Sequence, residues 1–168
     1  MKNYQDVFWI NLSALLIGII LYFISCQKTE LLTAAIATGI SLSLGLRQYK
    51  TENDKIFKEL FLSFNEKYDT KFNDKLIEID KNSNANPTFV IDEKDTPLII
   101  DYLNLCAEEY LWYTKGRIPK TVWASWEKGM IYYLSIDSIN KIVLNEKSQK
   151  DSYYGLFNKI GQQVKNWC

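Results

Sequence analysis

The chain has 168 residues, enough for one ordinary domain or for a membrane anchor carrying one small domain. Its 20 basic and 20 acidic residues cancel, so no overall field draws it to nucleic acid, and direct nucleic-acid binding is not expected. Histidine is absent, which removes the commonest general base and the commonest metal ligand together.

Residues 7–26, VFWINLSALLIGIILYFISC, form an uncharged run. At 1.5 Å per residue it is about 30 Å long, the thickness of a bilayer's hydrocarbon core. Residues 31–46, LLTAAIATGISLSLGL, form a second uncharged run, about 24 Å long as a helix. Gln27, Lys28, Thr29 and Glu30 alone separate the two, so the expectation over residues 1–48 is an antiparallel transmembrane hairpin in a lipid bilayer. Lys2 precedes the first run and Arg47, Lys50, Lys55 and Lys58 follow the second, while the link offers Lys28. The positive-inside rule then puts both termini in the cytoplasm of a bacterial inner membrane. Tyr4, Phe8, Trp9 and Tyr49 suit an inner aromatic belt, Tyr22 and Phe23 an outer one. Two other readings stand beside this one: a buried hairpin in a soluble protein, and a cleaved signal in which Cys26 is the lipidated residue of a lipoprotein.

Small and polar residues are ordered on these helices. Asn11, Ala14 and Gly18 recur at spacings of three and four on the first, continuing to Tyr22 and Ser25. On the second, Ala35, Gly39 and Ser43 make one stripe, and Ala37, Ser41 and Gly45 make another about 200° away. Such stripes let backbones approach closely in lipid. One can close the hairpin; the other is free for a second copy, so a homo-oligomer is expected.

Residues 49–81 have the period of a stalk helix. Ile56, Leu60, Phe64, Tyr68, Phe72 and Leu76 recur every four residues, and Lys55, Lys58, Glu59, Glu66, Lys67, Lys71 and Lys75 occupy the opposite face. Residues 82–96, NSNANPTFVIDEKDT, read as a loop in which Phe89-Val90-Ile91 is the one short segment with strand character. From 97 to 168 a helical domain is expected to pack on the stalk. Thr96 is the expected N-cap and Pro97 the first helical residue of a helix with an apolar stripe of Ile99, Leu103, Cys106, Tyr110 and Tyr113, ended by Lys115-Gly116. Pro119 opens a helix burying Val122, Trp123, Trp126, Met130 and Tyr133. Ser135 or Asp137 caps a short helix with Ile139, Ile142 and Val143, and a final helix carries Tyr153, Leu156, Phe157, Ile160, Val164 and Trp167. The fold class expected is all-α: an N-terminal transmembrane helical hairpin followed by a small helical-bundle cytoplasmic domain.

The stretch DYLNLCAEEYLWYTKGRIPKTVWASWEKGM, Asp101 to Met130, resembles the signature of a family of short bacterial two-transmembrane-helix proteins of unknown function, NLCxEEY followed by KGxIP and VWxxWxxGM. FNEKYD at Phe64 to Asp69 and Tyr153-Tyr154-Gly155 resemble two further pieces of it, so the likeness covers about residues 57–156. What it implies is a helical cytoplasmic domain on a membrane anchor. Proteins of this shape also resemble the membrane effectors of phage-defence modules of the retron type, an architectural likeness that carries no catalytic residues.

Chemistry is sparse. No GxxxxGK[ST], GxGxxG or GxSxG occurs, and without histidine a Ser-His or Cys-His pair is excluded. Cys26, Cys106 and Cys168 form no CxxC pair, and Cys106 reads as core. Glu66, Asp69 and Asp74 are spaced as solvated helix acids rather than metal ligands. Trp112, Trp123, Trp126 and Trp167 offer a ligand cage, but at helical spacing they read as core. The best polar constellation is Asn104, Glu108, Glu109, Lys115 and Arg117. It reads either as a partner-binding charge cluster or as the salt bridges of a helix–turn–helix. The expectation is therefore a non-enzymatic protein without cofactor or metal that self-associates and binds or senses a protein partner through its cytoplasmic domain, in its most specific form by perturbing the membrane. A scaffold that tethers a partner complex is the alternative.

Overall fold

A computed structural model describes residues 2–25, 29–148, 152–161 and 163–164. Cys26, Gln27, Lys28, Trp167 and Cys168 lie outside them, and so do the lipidation reading and part of the hairpin link. Every regular element among the described residues is helical. The chain divides into two units, residues 1–56 and 57–168.

The first unit pairs α1 (Lys2–Ile24) with residues 29–56 of α2 (Thr29–Lys67). No proline interrupts either segment. The helices meet on small residues. A Cβ added to Gly39 would lie 2.6 Å from the Ala14 Cβ, and one added to Gly18 would lie 3.0 Å from the Ala35 Cβ. Gly39 has no room for a side chain, while a small one at Gly18 would fit only if Ala35 and Leu32 gave way by a few tenths of an ångström, so the close approach sets both glycines. Asn11 sits at the same seam, its Nδ2 donating to the Val7 carbonyl of its own helix at 2.9 Å. Ser43 is buried one turn beyond Gly39, and its hydroxyl has no hydrogen-bond partner. Lys50 and Asp6 pair at 2.9 Å across the open end of the hairpin. The second stripe, Ala37, Ser41 and Gly45, is exposed, and a Cβ on Gly45 would meet nothing within 4 Å.

The second unit is built around α4 (Thr96–Thr114), which buries Ile99, Tyr102, Leu103, Leu105, Cys106, Ala107 and Glu109. No single stripe of a 3.6-residue helix contains all of these, so α4 needs cover on several sides. The end of α2, a π turn (Tyr68–Phe72) and α3 (Asn73–Ala85) bring Phe64, Phe72, Leu76 and Ile79. Trp123, Met130 and Leu134 come from α5 (Lys120–Leu134), Ile139 and Val143 from α6 (Asp137–Lys147), and Leu156 and Ile160 from the short α7 (Leu156–Ile160). Lys67 to Glu108 (3.4 Å), Lys71 to Asp101 (2.6 Å) and Lys75 to Asp95 (2.8 Å) form antiparallel rungs that set the register of this first segment against α4. The two pairs on the exposed side, Lys67–Glu108 and Lys71–Asp101, each contribute about 0–1 kcal/mol, while Lys75 and Asp95 are half-buried.

Several boundaries differ from expectation. The segment from 49 to 81 is not one α-helix, because the π turn interrupts it and α3 continues to Ala85. The four-residue spacing explains the turn. Each step of four overshoots a full turn of an α-helix by about 40°, so Phe64, Phe72 and Leu76 would drift off a common face. A π turn, closed by the Asn73 N–H donating to the Tyr68 carbonyl, absorbs a residue and restores the phase. Asp95, not Thr96, is the N-cap residue of α4, because Asp92 first caps a 3-10 turn at Glu93–Asp95. Ile136 precedes α6, so neither Ser135 nor Asp137 is its N-cap. Phe89-Val90-Ile91 is loop, as expected, and from it Ile91 plugs into the core. The last helix is only five residues long, and Tyr153 (φ 62°), Tyr154 (φ 52°) and Gly155 (φ 82°) turn left-handed before it. An aromatic residue costs about 1–2 kcal/mol there. Contacts offset it at Tyr153, whose hydroxyl donates to Glu146 at 2.6 Å and whose ring centroid lies 4.8 Å from that of Phe157. At the other end of α4, the Gly116 N–H donates to Tyr113 and the Arg117 N–H to Trp112, a Schellman cap with Gly116 at φ 70°.

The close seam of the first unit yields a direct test. In a background lacking the native cysteines, Gly18→Cys with Ala35→Cys is expected to oxidise to an intramolecular disulfide, since the 3.0 Å between the Cβ positions has only to widen to the roughly 3.8 Å of a disulfide. Adding Gly39→Ile, whose branched side chain would collide with Ala14, is expected to cut the cross-linked fraction several-fold; unchanged cross-linking would place the helix contact elsewhere.

Candidate functional site: an aromatic cleft with a buried carboxyl

The residues of the charge constellation read from the sequence stand in different surroundings. Asn104 is exposed on the outer face of α4, and Glu108 is ion-paired with Lys67. The Lys115 ammonium lies 5.0 Å from the centre of the Trp112 ring. Arg117 belongs to the turn that caps α4. Glu109 parts from all of them: only 8 % exposed, it faces inward. One residue along a helix is about 100° around it, so adjacent glutamates point to different surroundings. Glu109 stands three residues after Cys106 and seven after Tyr102, on the buried stripe, a signal present in the sequence but masked by reading the two acids as a pair.

Glu109 lines a cleft of about 170 Å³. Its walls are Phe64 from α2, Tyr68 from the π turn, Tyr102 from α4, and Trp126 and Tyr133 from α5. Phe64 meets Trp126 edge-on with centroids 6.0 Å apart, and Tyr102 meets Tyr133 edge-on at 6.4 Å, the arrangement favoured by the ring quadrupoles. Trp126 is half-buried at this wall and Trp123 is core, so these two do not line the cleft together; Trp167 lies outside the described residues. Asn65, Ser125 and Gly129, half-buried or exposed, stand at the rim. The rim glycine has no packing reason to be glycine. It lies inside α5, where glycine costs about 1 kcal/mol relative to alanine, yet a Cβ there would meet nothing within 4 Å. A side chain at 129 would instead occupy space at the mouth of the cleft.

Burial dominates the electrostatics. It lifts Glu109 from the ordinary glutamate value of 4.5 to about 8, and the charge on Glu108 adds to the rise. At neutral pH Glu109 is therefore mostly a neutral acid. Burial also raises the Tyr102 hydroxyl and the Cys106 thiol, which hydrogen-bond one another, so Cys106 is an inert thiol packed in the core, as its place on the apolar stripe implied. The Tyr68 hydroxyl is raised by burial and by its hydrogen bond with Tyr133. Among the described residues no group of three acidic or cysteine side chains is placed to hold a metal ion, Glu66, Asp69 and Asp74 included. No protein-family profile, curated protein or solved structure matches this chain.

The raised acid links stability to pH. Between about 5 and about 8 the native protein holds a proton on Glu109 that the unfolded chain has released. Stability therefore falls as pH rises through this window, by up to about 1.4 kcal/mol per unit, and levels off above it. Thermal unfolding of the full chain followed by circular dichroism is expected to show this slope, and Glu109→Gln is expected to remove it.

Proposed function

We propose that the chain is a non-enzymatic two-pass protein of a bacterial inner membrane, with both termini cytoplasmic and a helical domain that binds or senses a protein partner. The observation that carries this reading is the inverted surface of the first unit. Small residues fill the seam between α1 and α2, while the large apolar side chains face outward, with Phe8 60 %, Phe23 69 % and Leu44 59 % exposed. Both helices are long and apolar enough to cross a membrane, and only 6 % of the apolar stretch of α1 is buried. In water such a surface would aggregate; against lipid it is matched. Each helix also satisfies hydroxyls internally, as Ser13 does with the Ile10 carbonyl at 2.9 Å and Thr38 with that of Ala34 at 2.8 Å, which lowers the cost of placing them in hydrocarbon. The basic flanks favour the cytoplasmic side for both ends.

Self-association is the second part of the reading. With Ala35, Gly39 and Ser43 taken up inside the hairpin, the outward stripe of Ala37, Ser41 and Gly45 is the surface on which a second copy would pack. An assembly of such hairpins, with hydroxyl and amide groups within its helices, supports the more specific proposal of an effector that perturbs the membrane, in keeping with the architectural resemblance to phage-defence effectors. A scaffold with no effect on membrane permeability is the competing reading, favoured by the Asn11 amide being satisfied within its own helix rather than left to line a path.

The tests separate these layers. A phosphatase fused after Cys168 is expected to be inactive and a cytoplasmic fluorescent reporter there bright; the reverse pattern would remove the topology. Ser41→Ile is expected to abolish the cross-linked oligomer in membranes without changing the hairpin. If overexpression depolarises cells and Ser41→Ile relieves it, the effector reading stands. If oligomer forms while membrane potential and growth are untouched, the scaffold reading takes its place.

A further inference from the structure

We propose that the cleft between α2, α4 and α5 is a binding site for a small organic ammonium ion, held by the aromatic walls of Tyr68, Tyr102, Trp126 and Tyr133 and by the carboxylate of Glu109. The proposal does not rest on the membrane reading of the first unit, since every residue it uses lies in the second.

Four observations converge on this ligand chemistry. Glu109 is more than nine-tenths buried and lines the cleft, and the influences on it are burial and the like charge of Glu108, with no cation offsetting either. Lys67, whose ammonium lies 5.9 Å from the centre of the Phe64 ring at the cleft wall, is engaged by Glu108. An acid placed this way is incomplete until something positive enters. Next, the walls are aromatic on several sides, and a cation over tyrosine or tryptophan rings is attracted by their quadrupoles, most strongly where water is excluded. Third, the volume of about 170 Å³ is close to the 150 Å³ or so of an apolar cavity that admits benzene, which limits the ligand to roughly six or seven heavy atoms. Last, Gly129 keeps the mouth open at a position where packing does not demand glycine. A lone carboxyl with aromatic neighbours is a poor metal site, and an anion would face Glu109.

Entry of a cation changes the state of the acid. Neutral Glu109 releases its proton to solvent and becomes the counter-ion, so one proton leaves for each cation bound. The groups facing it are Glu108, Tyr102 and Cys106 on α4, Tyr68 on the π turn and Tyr133 on α5. The two burial-raised phenols and the thiol stay protonated across the neutral range, and Glu108 remains paired with Lys67. Glu109 is then the group whose titration governs affinity. The competent fraction falls about tenfold per unit below its midpoint, and so does the apparent affinity.

The experiment uses the full chain in a maltoside detergent and two probes of nearly equal shape: choline, permanently charged, and 3,3-dimethyl-1-butanol, its uncharged carbon analogue. Binding is read by calorimetry and by tryptophan fluorescence from pH 6 to 9. Expected are saturable choline binding at pH 8.5, a loss of about tenfold per unit below pH 8, and at least tenfold weaker binding of the alcohol. Glu109→Gln is expected to weaken choline at least tenfold and to flatten the pH profile. Gly129→Leu, which fills the mouth without disturbing the core, is expected to block both probes with helix content retained. Equal affinity for the two probes would make the cleft a neutral apolar pocket and overturn the proposal. So would choline binding that is indifferent to both substitutions, or no saturable binding of choline, tetramethylammonium or methylammonium at pH 8.5.

Discussion

A helix that buries residues on several of its faces cannot be satisfied by one neighbour, and α4 imposes that condition on the second unit. Its buried residues spread over an arc of about 200°, from Leu105 and Glu109 through Tyr102, Cys106 and Ile99 to Leu103 and Ala107. The end of α2, the π turn, α3, α5, α6 and α7 are the pieces that supply buried side chains around it. The short α7 illustrates this. Five residues make no stable helix alone, but Leu156 and Ile160 are both fully buried, so docking rather than propensity holds the element. The same demand explains the left-handed turn before it. Tyr153, Tyr154 and Gly155 turn left-handed there, and the Tyr153 hydroxyl and ring hold that turn in place.

The cleft is a by-product of this crowding that has become a chemical environment. Large rings set edge to face leave irregular gaps between them, because such pairs trade close filling for quadrupole alignment. A carboxyl placed at such a gap is neither solvated nor paired, and its proton affinity rises accordingly. That the acid beside it, Glu108, is held by Lys67 at the surface means that two adjacent side chains of one type occupy opposite electrostatic states. Neighbour identity along the chain decides neither; direction around the helix decides both.

Much of this was legible from the residues. Four-residue recurrence marked the apolar face from Ile56 to Leu76, Pro97 and Pro119 marked two helix starts, Gly116 marked a helix end, and Cys106 and Trp123 were recognisable as core from their places on apolar stripes. The stripe on α1 and the two on α2 were visible as stripes, and the close approaches of Gly18 to Ala35 and of Gly39 to Ala14 join the α1 stripe to the first of those on α2. What was not legible has physical reasons. Tyr153 and Tyr154 adopt a conformation that tyrosine disfavours, held there by contacts of Tyr153 with Glu146 and Phe157 that no local pattern announces. The shift of the α4 N-cap to Asp95 follows from a 3-10 turn capped by Asp92, a competition among neighbouring acids that propensity alone does not resolve. Glu109 shares the spacing of Tyr102 and Cys106, and its charge conceals that place in the sequence. A recurrence of four residues marks a helix, and sustained from Ile56 to Leu76 it also marks a wider turn.

That turn has a bearing on how the chain can change in length. A π turn is an α-helix holding one surplus residue, so deletion of a single residue at Tyr68–Phe72 would be absorbed without breaking the helix, by reversion to ordinary pitch. The flanking residues would keep their phase, because the residue lost is the one that the wide turn had absorbed, so Phe64 and Leu76 would still face the core. The same deletion where the helix already has ordinary pitch, as in α3, has no surplus to draw on: everything on one side of it would swing by about 100° and slide by about 1.5 Å. The wide turn is therefore the place in this segment where the count of residues can change by one while the wall of the cleft keeps its position.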